Sequence, residues 1–279
     1  MAQKISRNWF QRDWTGLKLR RLVLLQKRFN RNDEVSQELT TGSVRQQEGP
    51  VEIELWVADA REAAARERAR VTALGDGVNV DAFRPRERER RRVQLAMRRS
   101  VISARLGIRP ADLDLREGQG RGIAAPDSGL LLSVAHHDDH TVLAIAGRGE
   151  GLGVDIEPRF EHGWEEPLCA VLAPAELRAL AALPPEEQAA AYFACWTRKE
   201  AVTKALGEGL SERDLRSILV GIGSELPALR SLDGCPPREH WAVWTGDLGQ
   251  LICSIALRGA ATALPRLCRW PLDFSRGDM

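Results

Sequence analysis

Residues 196–210, WTRKEAVTKALGEGL, restrict the fold more than any other part of this sequence. At helical spacing Trp196, Glu200 and Lys204 fall at i, i+4 and i+8, near one face, and Gly207 with Gly209 supplies the stop signal. About forty residues upstream, the GVDIE segment at 153–157 reads as a short strand. Its Asp155 and Glu157 point to one face while Val154 and Ile156 point to the other. Brought onto adjacent elements, three carboxylates and a lysine would suit a magnesium ion that also holds a phosphate.

Around these segments the order strand, helices, strands occurs twice, which suggests an α+β chain of two similar halves joined near residue 150. Val51, Ile53, Leu55 and Val57 alternate with Glu52, Glu54 and Trp56, the period of a half-buried strand. Residues 61–73, rich in Ala, Arg and Glu, read as a surface helix. Residues 84–99 carry eight arginines and two glutamates, so one side of the helix they open is a strip of positive charge. That helix runs to about Gly107, with Val93, Ala96, Met97, Val101 and Ala104 facing the core. Strands at 130–134 and 141–146 are joined by His136, His137, Asp138, Asp139 and His140. Helices follow at 174–183 and 186–205, the second opened by Pro184 and Pro185, then strands at 217–221, 240–245 and 251–256.

The ends read differently. Residues 1–50 carry nine Lys or Arg against one acid through Arg31, then a polar, Gln-rich run. They suit either a poorly ordered extension or a basic arm for an acidic partner. From Arg258 no period is clear, and 258–279 read as a tail.

Composition removes several classes. Five scattered cysteines without a CxxC pair argue against a zinc site and against a secreted disulfide framework, so a reducing cytoplasm is the expected home. No apolar run approaches the roughly 20 residues that span a bilayer. A formal net charge of +1, with no aromatic stacking motif, gives no reason to expect nucleic acid. There is no Walker GxxxxGK[ST] and no GxGxxG after a strand, which disfavours a nucleotide triphosphatase or a dinucleotide fold.

Each pair also has an ordinary structural reading. Glu200 and Lys204 alone are an i,i+4 surface pair stabilising by roughly 0.3–0.5 kcal/mol. Asp155 and Glu157 alone are the wet face of a strand, the arginine strip is a solvated helix face, and the histidine-rich turn is solvated or touches a phosphate. Together, acids on two elements, a lysine one turn beyond the third and a basic helix upstream form a layout for phosphoryl transfer. A metal neutralises a pyrophosphate, and a carboxylate or a water takes the nucleophile's proton.

GVDIE followed by W-[ST]-x-K-E-x-x-x-K-x-x-G-x-G-L, met here by Trp196, Thr197, Lys199, Glu200, Lys204, Gly207, Gly209 and Leu210, resembles the signature of 4'-phosphopantetheinyl transferases of the surfactin-synthetase-activating type. The resemblance covers roughly 51–257 and implies two pseudo-symmetric α/β halves, 51–150 and 151–257, with the active site in the cleft between them. It implies a monomer that moves the phosphopantetheine arm of coenzyme A to a serine of an apo acyl or peptidyl carrier protein, releasing adenosine 3',5'-bisphosphate. The alternative is a degenerate member that binds coenzyme A or a carrier protein without transfer.

By motif match, Asp155, Glu157 and Glu200 would hold magnesium, Glu200 would lead as general base, and Lys204 would meet charge on the bridging phosphate. Arg90, ten residues before Ser100, would contact the 3'-phosphate end of coenzyme A, with Arg91 the choice if the register slips by one. Arg121, His136 and Lys199 complete the expected donor contacts. Two positions depart from the family pattern. Gly120, Arg121 and Gly122 stand where Gly-Lys-Pro is usual, and Ser133, Val134, Ala135 and His136 stand where Asn-x-Ser-His is usual.

Overall fold

The computed structural model describes residues 49–74, 79–118, 122–159, 168–208, 212–222 and 229–272. The basic segment 1–48 lies outside the described residues. Strand β1 (Val51–Asp59) leads to helices α1 (Ala63–Val71) and α2 (Pro85–Leu106), short strands β2 (Arg116–Gly118) and β3 (Gly122–Ala124), and the hairpin β4 (Leu131–His137) and β5 (His140–Ala146). The second run is β6 (Gly151–Pro158), α3 (Leu168–Val171), α4 (Pro174–Ala181), α5 (Pro185–Ala205), β7 (Ile218–Leu219), β8 (Ser231–Leu232), β9 (Trp241–Leu248), β10 (Leu251–Arg258) and β11 (Ala263–Arg269). The fold is α+β, with strand, helices, strands appearing twice in order. No described helix is long and apolar enough to cross a membrane.

Two sheets carry the architecture, one ordered β11-β1-β5-β4 and the other β6-β10-β9. Residues of alternate parity on each strand face opposite ways, and both faces are buried. Ile53, Leu55, Val142 and Ala144 from the first sheet meet Val154, Ile156, Cys253 and Ile255 from the second in one shared core. The other face of the first sheet, with Trp56, Leu143 and Ile145, packs against Val93, Met97 and Ile102 of α2. The outer face of the second sheet, with Val243, Ile252 and Ala256, packs against α5 through Ala201, Val202 and Ala205. At the seam between the sheets the Val154 amide donates to Ser133 Oγ at 3.0 Å. Ser133 therefore ties β4 to β6.

Helix α5 lies on β6 with almost nothing between. A Cβ added to Gly153 would fall 1.8 Å from the Ala201 carbonyl oxygen, and one added to Gly151 would fall 2.0 Å from that of Ala205. Only glycine allows a backbone this close. The two long helices end alike. Gly107 and Gly207 take left-handed φ of +68° and +74°, with Gly107 N donating to Ala104 O and Gly207 N to Lys204 O.

Two expectations are corrected. His136, His137 and His140 are strand residues, and the connection is the two-residue turn Asp138–Asp139, with Asp138 at a left-handed φ of +48°. The segment read as a tail contributes β11, which pairs parallel with β1 along Val51↔Ala263 to Val57↔Arg269. Pro265 sits on this edge strand, where a missing N–H is tolerated. Just beyond it, buried Trp270 donates from Nε1 to Ser100 Oγ at 3.0 Å.

Replacing Gly153 by Ala should push α5 off β6 and lower the unfolding free energy by about 2–3 kcal/mol. Urea denaturation followed by fluorescence measures it, and an unchanged midpoint would mean the helix is not seated on the strand as described.

Candidate functional site

The close approach of α5 to β6 sets Glu200 and Lys204 over Asp155. Lys204 Nζ donates to Asp155 Oδ1 at 2.8 Å and to the Val154 carbonyl at 3.0 Å. Asp155 and Glu200 are 7% and 3% exposed, and each keeps one buried oxygen, Oδ2 and Oε1, without a hydrogen-bond partner. Glu157, at the strand end, is half-buried. His137 Nδ1 stands 3.3 Å from its Oε2, and the Trp196 indole donates to it.

Three carboxylates here share one lysine, and their protonation shows the strain of that ratio. Burial raises the Asp155 carboxyl above its ordinary range, and Lys204 offsets only part of the rise. Burial and then Asp155 raise Glu157. Burial, then the charges of Asp155 and Glu157 against a partial offset from Lys204, push Glu200 up to about 7. Among the described residues, no group of three or more His, Cys, Asp or Glu is gathered in ligand geometry as the side chains stand. The chemistry of the set nevertheless fits a hard divalent cation. Its donors are all oxygen, two are buried without partners, and a cation would offset the burial and the neighbouring charges that raise the Glu200 carboxyl to about 7.

A second, basic site forms where α2 meets the β4–β5 turn. Arg61, Arg66, Arg86 and Arg90, with Glu89 and Asp139, line an open pocket of about 170 Å³. Arg90 Nε donates to Asp139 Oδ1 at 2.7 Å and Arg86 Nη2 to Asp139 Oδ2 at 3.2 Å. Arg61 forks onto Asp59 through Nε and Nη2 at 3.1 and 2.7 Å. Arg91 instead lies over the Phe83 ring, 5.7 Å from its centroid. His136, at the end of β4, is exposed. Partial burial, then Arg98 and Arg91 from α2 and Lys204 from α5, lower its imidazole below the ordinary range.

Arg90 therefore lines the arginine-rich pocket, whereas Arg121, Gly209 and Leu210 lie outside the described residues. Lys199 requires a correction. It is fully buried, and its Nζ donates to Glu176 Oε2 at 2.5 Å and to the carbonyls of Val171 and Leu215, both at 3.0 Å. Glu176 also accepts from the backbone amides of Ala173 and Val220. Lys199 anchors α5 to its surroundings and cannot reach a donor in the cleft. Sequence reading missed Arg61, Arg66 and Asp139 as pocket groups, because their partners lie far along the chain.

Residues 151–256 match the family model of the 4'-phosphopantetheinyl transferase superfamily. The 4'-phosphopantetheinyl transferase AcpT of Salmonella typhimurium LT2 is 31% identical over 118 residues, covering 42% of this chain and 58% of that protein. The 4'-phosphopantetheinyl transferase HetI of Nostoc sp. PCC 7120 is 28% identical over 149 residues, covering 52% of this chain and 62% of that one. The holo-[acyl-carrier-protein] synthase of Thermotoga maritima, a solved structure, overlaps at a TM-score of 0.32 and 17% identity over 40% of this chain and 65% of that one. The similarity rests on the sequence matches: residues 151–256 are similar to the 4'-phosphopantetheinyl transferase superfamily. The matches span about 60% of the length of those two curated relatives.

Two outcomes follow from the site. Glu200 is raised in the folded state, so its contribution to stability is full below its unfolded pKa and is lost as pH rises through about 7. Thermal unfolding of metal-free protein should show a melting temperature that declines from pH 5 to 8, and Glu200→Gln should flatten the decline. A wild-type profile matching that of Glu200→Gln would refute the assignment. Lys199→Met, which leaves Glu176 buried without its cation, should lower stability by about 3 kcal/mol or more in urea denaturation. A variant of wild-type stability would contradict the anchoring role.

Proposed function

We propose that this chain transfers the 4'-phosphopantetheine arm of coenzyme A to a serine hydroxyl of an apo acyl or peptidyl carrier protein, leaving adenosine 3',5'-bisphosphate. The observation that carries the reading is the buried set of Asp155, Glu157 and Glu200 with two orphaned oxygens and one lysine, inside the segment that matches the family model. The relatives named as 4'-phosphopantetheinyl transferases support the same reaction class.

Asp155, Glu157 and Glu200 would hold a magnesium ion, which when bound neutralises charge on the pyrophosphate of the donor. Glu200, directly or through a water it holds, would take the serine proton. The serine oxygen then bonds to the phosphorus on the pantetheine side, the bridging P–O bond breaks, and adenosine 3',5'-bisphosphate leaves. Lys204, one turn beyond Glu200, supplies positive charge where the bridging oxygen becomes negative. At the far end of the donor, the pocket of Arg61, Arg66, Arg86 and Arg90 suits the 3'-phosphate, since guanidinium groups grip phosphate in pairs. His136, exposed at the end of β4, would touch a phosphate of the donor. A cytoplasmic location and a monomeric state belong to the same reading.

Purified protein, coenzyme A, magnesium and an apo carrier protein should give a carrier heavier by one phosphopantetheine arm in intact-protein mass spectrometry. Glu200→Gln and Asp155→Asn should each lower the rate by about 100-fold or more. Coenzyme A binding without transfer to any of several acyl and peptidyl carriers would replace the transferase reading with that of a binding module.

A further inference from the structure

The basic pocket contains an acid to which the transferase reading gives no task. Asp139 sits in the turn between β4 and β5, and that turn is fixed to the end of β1 by the Ala60 amide, which donates to the Asp139 carbonyl at 2.8 Å. Its side chain is only 10% exposed and receives one guanidinium on each oxygen, Arg90 Nε on Oδ1 and Arg86 Nη2 on Oδ2. Neither arginine is closed into a two-point fork by Asp139, so each keeps N–H groups to offer elsewhere. Arg90 makes one further, longer approach, 3.7 Å to Asp138. Both arginines line the same pocket.

We propose that Asp139 is a positioning residue for the donor's phosphate: it holds Arg86 and Arg90 on a rigid turn so that their remaining N–H groups face the pocket shared with Arg61 and Arg66. The inference rests on the coenzyme A reading and deepens it. Arginine side chains are long and flexible, and ordering them before the ligand arrives removes a cost that binding otherwise bears. A carboxylate beside a phosphate also repels it, which sets up the competing account that Asp139 blocks the pocket. The lining sets four guanidiniums against Asp139 and Glu89, while Asp59 on Arg61 and Asp138 at 3.7 Å from Arg90 take up part of that charge, so the Asp139→Asn titration below decides between ordering and repulsion. Burial alone would raise the Asp139 carboxyl, but its bonds from Arg90 and Arg86 hold it below the ordinary range, and it stays ionised at neutral pH. Asp59, by contrast, closes Arg61 into a two-point fork through Nε and Nη2.

Calorimetric titration of the full chain with coenzyme A, and with dephospho-coenzyme A that lacks the 3'-phosphate, tests the assignment. Wild type should prefer coenzyme A. Asp139→Asn should raise its Kd for coenzyme A about 10-fold while that for dephospho-coenzyme A moves by less than about twofold. Asp139→Glu should recover part of the loss, and Arg86→Gln and Arg90→Gln should reproduce it. In the transfer assay the Asp139→Asn change should appear in KM and not in kcat. Tighter coenzyme A binding by Asp139→Asn, or an equal loss for both ligands with a lowered melting temperature, would overturn the proposal. No preference in wild type would overturn it as well. Failure of wild type to bind either nucleotide would instead remove the coenzyme A reading beneath it.

Discussion

The structure depends on the contact between helix α5 and strand β6. At Gly151 and Gly153 the helix backbone comes so near the strand that no side chain fits between them. This closeness brings Glu200 and Lys204 on the helix to Asp155 on the strand and leaves Glu157 at the open strand end. The other supports serve the same contact. Lys199 is locked onto Glu176 and two carbonyls beneath the helix. Thr197 Oγ1 meets Ser254 Oγ at 2.8 Å, and Arg198 donates to Thr245, so polar groups on α5 are satisfied where they meet β9 and β10. Gly153, two residues before Asp155, is thus a packing requirement before it is anything chemical.

What the contact produces is deliberate electrostatic imbalance. One lysine faces three carboxylates in a largely dry setting, and the imbalance is expressed as raised carboxyl groups and two buried oxygens without partners. Where α2 meets the β4–β5 turn, four arginines line a pocket with Asp139 and Glu89, and Asp59 pairs with Arg61. His136 senses charges from both helices. In the proposed reading the acids would serve the pyrophosphate of coenzyme A through a cation, and the guanidiniums its 3'-phosphate.

Much of this was legible in the sequence where a periodic element carried the signal. Helix α5, strand β6 and the faces of Asp155, Glu157, Glu200 and Lys204 follow from local spacing. Lys199 was misjudged because a helical pattern that mixes Thr, Arg, Lys and Glu looks exposed, whereas α5 is buried nearly all round, with Thr197, Arg198, Lys199 and Glu200 all inside. Only the distant Glu176 explains a lysine there. Arg61 and Arg66 looked like surface charge on a short helix, and nothing local links them to Asp139. Strand β11 was hidden because its exposed side chains and Pro265 break the alternation, and its pairing with β1 joins residues about two hundred positions apart. Local chemistry was readable, and contacts made by chain reversal were not.

The central claim is that Asp155, Glu157 and Glu200 act as one acidic site awaiting a divalent cation. Magnesium titration by calorimetry at pH 7, with coenzyme A present and in buffers of different ionisation enthalpy, tests it most directly. The account predicts binding with proton release from wild type, because the Glu200 carboxyl is raised to about 7 in the metal-free site. It predicts weaker binding with less proton release from Glu200→Gln. Magnesium binding with no proton released, or with the same release from both proteins, would contradict it.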